Sequence, residues 1–133
     1  MPADLDRARY IAFGTYRADG SLKSTPTWVT PFRDGYAFTT DPSSFKVKRL
    51  RANPNVVITV SNISGKVSAD ATAHHGAATL LDASETDEVD KLIRAKYRIQ
   101  YPLLISTGAA WRRLRGKTPA ESVGVLVQFP PRA

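Results

Sequence analysis

Asp34-Gly35-Tyr36-Ala37-Phe38-Thr39-Thr40-Asp41-Pro42-Ser43-Ser44-Phe45-Lys46-Val47-Lys48-Arg49-Leu50-Arg51-Ala52-Asn53-Pro54 contains, in order, a turn, a strand, a helix cap, a basic helix and a stop. Asp-Gly is a hairpin signal, and the aromatic run Tyr36 to Thr40 that follows it favours a strand. Ser43 and Ser44 are cap-type residues, and the cations Lys46, Lys48, Arg49 and Arg51 sit on the first turns of the helix they open. Asn53 ends that helix, because the residue before a proline is pushed out of helical geometry. A strand that ends in hydroxyls and turns into a helix N-terminus offers free N–H groups and a positive dipole end to an anion. The stretch therefore reads as a phosphate grip.

Working outward, Arg9 to Tyr16 reads as a first strand and Asp19-Gly20 as a turn. Leu22 to Phe32 reads as a second strand, interrupted by Pro26 and stopped near Pro31, and Tyr36 to Thr40 as a third. Asn55 to Ser61 is a β-branched run between turn residues and reads as a strand; Asn62 to Ser68 reads as a loop. Asp70 to Asp82 reads as a long fifth strand with Gly76 at a bulge or close approach. Ser84 to Arg98 reads as a helix, with Ser84 as cap, Asp87 at the reciprocal position, and Val89, Leu92, Ile93 and Tyr97 on one face. Tyr101 to Lys117 is less readable, with Gly108 before a basic segment at Trp111 to Arg115, and Val123 to Phe129 reads as a closing strand. Three strands without an intervening helix exclude a doubly wound sheet. The fold is all-β or α+β, an antiparallel barrel with attached helices.

The length of 133 residues favours a single domain over 1–133, with 42% hydrophobic and 23% charged residues. No apolar run is long enough to span a bilayer, and the N-terminus lacks the layout of a secretion signal, so a cytoplasmic protein with no membrane partner is expected. The absence of cysteine excludes disulfides, thiolate metal sites and a cysteine nucleophile. A net charge of +7 favours anionic partners. The only histidines, His74 and His75, are adjacent, so on a strand they point to opposite faces and no metal site is expected. No serine–histidine–carboxylate arrangement is apparent, and no catalytic residue can be assigned. A nucleic-acid-binding barrel is disfavoured because aromatic residues do not alternate with the cations on a strand face.

Asp19-Gly20, Ser24 to Val29, Asp34 to Thr40 and Lys46 to Val56, in that order and spacing, resemble the pyridoxamine 5′-phosphate oxidase-like split-barrel superfamily. The short actinobacterial members that use the deazaflavin coenzyme F420 are most similar. The similarity runs from Arg9 to Leu81 and is strongest from Pro26 to Val60. It implies a Greek-key-like split β-barrel of the FMN-binding type, forming a homodimer with cofactor sites at the interface. By the same resemblance, Trp28, Val29 and Thr30 match ring-contacting positions. Thr39, Thr40, Ser43 and Ser44 match ribityl and phosphate contacts, Lys46 matches the phosphate-pairing lysine, and Lys48 is a second cation. The implied function is an F420-dependent reductase transferring a hydride to a small molecule such as an enone or quinone. The alternatives are an FMN-binding oxidoreductase of this fold and a non-catalytic cofactor-binding protein. The arginine-rich C-terminal segment of true pyridoxamine phosphate oxidases has no match here, which disfavours pyridoxal phosphate synthesis.

The same residues have plainer readings. Lys46, Lys48, Arg49 and Arg51 also suit a solvated helix face, with Arg49 and Arg51 left to solvent or acids. Trp28 also suits a core or dimer interface. The segment Trp111, Arg112, Arg113 and Arg115 suits either an exposed stretch or a rim for an acidic cofactor tail. His74, His75, Tyr97 and Tyr101 all remain as proton donors.

Overall fold

In a computed structural model the chain is described over residues 3–100 and 122–129, without the side chains of residues 98–100. Helix α1 (Ala3–Asp6) leads into β1 (Tyr10–Tyr16), β2 (Leu22–Thr27), β3 (Thr30–Phe32) and β4 (Gly35–Thr40). Then come α2 (Phe45–Ala52), β5 (Asn55–Ser61), β6 (His74–Leu80), α3 (Ala83–Gln100) and β7 (Val123–Gln128). The strands form one sheet in the order β2-β1-β5-β6-β7-β4-β3, antiparallel throughout. The chain is mainly β with attached helices, as expected.

The register explains the core. Phe13 pairs with Ile58 and Ile11 with Val60, so one face of β1 and β5 carries Ile11, Phe13, Val56 and Ile58, all buried. Phe13 meets Phe38 of β4 edge-on at 4.7 Å, which joins the two halves of the sheet. Helix α3 packs Val89, Ile93 and Tyr97 against this core. Among the described residues no helix is long and apolar enough to cross a membrane.

Several local expectations are corrected. The second strand is two: β2 stops at Thr27 and β3 starts at Thr30, because the backbone of Val29 bonds to α3 instead of a strand. Pro26 does not cause the break; it lies on an edge strand, where a missing N–H is tolerated. The fifth strand is confined to His74–Leu80, since Ser68 to Ala71 close a turn before it. The hairpin before β4 turns at Arg33-Asp34, not Asp34-Gly35; Arg33 takes a positive φ of 54°, and its guanidinium pairs with Glu85 and Glu88. The cap of α3 is Asp82, whose Oδ1 accepts the Glu85 N–H at 2.8 Å, and Leu92 stays exposed while Thr86 and Asp90 complete the buried face.

The short helix α1 has no counterpart in the sequence reading. Leu5 is fully buried, Asp4 meets His74 Nε2 at 3.0 Å, and Asp6 accepts the Tyr36 hydroxyl at 2.5 Å. Gly76 is the close approach anticipated: a Cβ there would lie 2.7 Å from the Gln128 carbonyl oxygen.

Candidate functional site

Strand β4 has β7 beside it from Tyr36 to Thr40, but on its other side pairing with β3 ends at Thr30–Ala37. Among the described residues nothing pairs with the backbone of Phe38, Thr39 and Thr40 on that side, which leaves an open edge, and Thr39 and Thr40 are half-buried. The chain then turns at Asp41. Its Oδ1 accepts both the Ser43 N–H at 2.8 Å and the Ser43 hydroxyl at 2.7 Å, so the Ser43 hydroxyl proton is already engaged. Ser44 caps α2, its Oγ accepting the Val47 N–H at 3.5 Å. The amides of Phe45 and Lys46 precede the first intrahelical bond and remain available to an acceptor. Lys46 is half-buried, and burial, with the nearby Arg49 charge, pulls its pKa down. A cation held partly out of water, with no acid paired to it among the described residues, gains most from a bound anion.

Thr39, Thr40, Ser43, Ser44 and Lys46 are thus brought into one continuous segment. Lys48 is on a different side of α2, facing a cleft toward β1. Arg49 is half-buried and not simply solvated: its Nε donates to Thr15 Oγ1 at 2.6 Å, and among the described residues no acid pairs with it. Asp41, the residue that shapes the turn, escaped sequence reasoning, although Asp two residues before Ser is a recognisable Asx-turn signal.

Trp28, Val29 and Thr30 are buried beneath α3. Trp28 stacks on Tyr97, ring centroids 4.3 Å apart. The Val29 N–H donates to Tyr97 Oη at 3.1 Å, and its carbonyl accepts from Lys96 Nζ at 2.7 Å, so both its backbone groups are engaged within the chain. Lys96 also donates to the Ala8 carbonyl at 2.9 Å. Burial lowers the Lys96 pKa to about 8, with the Asp6 charge opposing. A neutral amine keeps two N–H donors, enough for both carbonyls. The folded chain therefore releases the Lys96 proton near pH 8, while the unfolded chain holds it to the ordinary 10.5, so stability rises with pH across that window. Urea midpoints measured from pH 8 to 10 should show this rise, and a Lys96→Met chain should lose it.

His74 and His75 point to opposite sides of β6, as expected: His74 is turned inward to Asp4 and His75 is exposed. The described residues contain no cluster of metal-ligating side chains. Tyr97 is fully buried, with its hydroxyl donating to the Arg9 carbonyl at 2.5 Å. Tyr101, the basic segment at Trp111, Arg112, Arg113 and Arg115, and Gly108 lie outside the described residues.

No family model matches the chain, and no curated protein matches its sequence. Solved structures do match. An F420 reductase aligns with a TM-score of 0.63 at 18% identity, over 96% of this chain and 90% of its own. The chain folds as a split β-barrel. A FAD-binding protein from Mesorhizobium loti aligns with a TM-score of 0.63 at 16% identity, over 96% of this chain and 85% of its own. A candidate pyridoxamine 5′-phosphate oxidase from Listeria innocua gives 0.62 at 14% identity, over 94% and 86%. At these identities the likeness is one of fold.

Proposed function

We propose that this chain belongs to the pyridoxamine 5′-phosphate oxidase-like family and acts as an F420-dependent reductase of an electron-poor small molecule such as an enone or quinone. The observation that carries this reading is the open edge of β4 at Phe38 to Thr40, running directly into the Ser44-capped basic helix. An elongated cofactor fits that course: its phosphate on the free amides of the first turn and on Lys46, its chain along Thr39 and Thr40. When bound, the deazaflavin supplies the hydride. The protein's part is to hold it in place. Val29 contributes backbone order there, not donors, because α3 already uses both its groups.

A homodimer is part of the proposal. His75, Ala77 and Thr79 are exposed on β6, in the middle of the sheet, and this uncovered face of a central strand suits a second copy. FMN is the second reading, since the grip selects a phosphate and FMN carries one.

Titrating oxidised F420 and FMN separately, with fluorescence quenching as readout, decides between the two. F420 is expected to bind more tightly, and Lys46→Ala to weaken it about tenfold or more, the value of one charge-assisted bond. Sedimentation of the same sample reports the dimer. No quenching of either cofactor, or quenching indifferent to Lys46, would overturn the reading.

A further inference from the structure

A cleft of about 500 Å³ lies between the end of β1 and the outward face of α2. Tyr16 and Arg17 form one wall, and Phe45, Lys48 and Arg49 the other. We propose that it binds a small planar molecule carrying an anionic group, phosphate or carboxylate, at a site separate from the Lys46 grip. Phe45, Lys48 and Arg49 follow i, i+3, i+4 spacing and so share one helix face, from which Lys46 is turned by about 100°.

The chemistry of the walls selects the ligand. Arg49 is fixed through its Nε to Thr15, which is fully buried, so the guanidinium is oriented while its terminal amino groups stay uncommitted. Among the described residues no carboxylate lines the cleft, and none pairs with Lys48 or Arg49. Arg17 is steadied by Ser21 at 3.1 Å and senses Asp19 across the turn. Lys48 and Arg49 on one wall, with no acid paired to either among the described residues, and Arg17 on the other leave a positive site whose complement is an anion. Phe45 is 75% exposed, and with Tyr16 it lines the cleft with aromatic surface that suits a flat group. The volume falls within the few hundred to one thousand Å³ typical of small-molecule sites.

AMP, adenosine and inorganic phosphate, each titrated into isotope-labelled protein and followed through backbone amide shifts, test the proposal. AMP is expected to shift Tyr16 to Ala18 and the outward face of α2, with adenosine binding more weakly. Arg49→Gln should weaken AMP about tenfold or more, Phe45→Ala should weaken AMP but not phosphate, and Lys46→Ala should leave AMP binding intact. Lys48→Gln, at an exposed position, carries the same test if Arg49→Gln does not fold. Equal binding of adenosine and AMP, indifference to Arg49 and Lys48, or shifts centred on Ser43 to Lys46 would overturn it. None of these outcomes depends on whether F420 binds, so the two proposals stand or fall separately.

Discussion

Replacing Tyr97 by alanine is expected to lower the unfolding free energy by about 3–5 kcal/mol, the range for removing a large buried aromatic. The side chain is fully buried and stacks on Trp28 with 12° between the ring planes. Its hydroxyl accepts the Val29 N–H and donates to the Arg9 carbonyl, so it ties α3 to the gap between β2 and β3 and to the start of β1. Tyr97→Phe keeps the ring and strands a buried backbone N–H, at a cost of about 1–3 kcal/mol. The difference between the variants separates packing from hydrogen bonding. Urea denaturation of both measures it, and a Tyr97→Phe chain as stable as the parent would show that the hydroxyl holds nothing. Because Val29 is bonded to α3 and not to a strand, loosening Tyr97 should also blur the bend that opens the β4 edge.

What was legible in the sequence was local. Asn55 to Ser61 was bounded to the residue, because a β-branched run between turn residues has no competing structure. Ser44 and Asn53-Pro54 bracketed α2 equally well, since caps and pre-proline restriction act within a few residues. The misreadings came from partners distant in sequence. Trp28-Val29 has the residue types of a strand interior, yet its backbone is claimed by Lys96 and Tyr97, 67 and 68 positions away. Arg49 reads as one solvated cation among four, whereas Thr15, 34 positions earlier, gives it a fixed orientation. Leu5 in α1 shows no periodicity over four residues, and only its burial and the Asp4–His74 contact give it a role. In the candidate site the segment Thr39 to Lys46 was readable because it is contiguous. The walls of the α2 cleft were not, because β1 and α2 meet only in the fold.

Gly35→Ala is expected to destabilise the chain by about 3 kcal/mol, at the upper end for overpacking, and to take the phosphate end of the site with it. Asp34-Gly35 reads as a hairpin signal, which suggests that Gly35 supplies a positive φ, but the turn lies one residue earlier and Arg33 supplies it. Gly35 is needed for space. A Cβ there would lie 2.1 Å from the Val127 carbonyl oxygen and 3.1 Å from its carbon, and a backbone acceptor within a ladder cannot swing aside as a flexible side chain would. Gly20 is the control: its φ is +87° with nothing within 4 Å of a built Cβ, so Gly20→Ala carries only the left-handed penalty of about 1 kcal/mol. The two alanines thus separate crowding from conformation. Relief of the Gly35 clash has to shift β4 against β7, and the same ladder sets Thr39 opposite Gly124 and Thr40 opposite Val123. Any displacement therefore reaches the edge that leads into α2. Thermal melts should rank Gly35→Ala well below Gly20→Ala, and F420 titrations should weaken in the first and not in the second. Equal melting of the two variants would show that β4 can move past Val127 at little cost, and that the open edge is not held by this register.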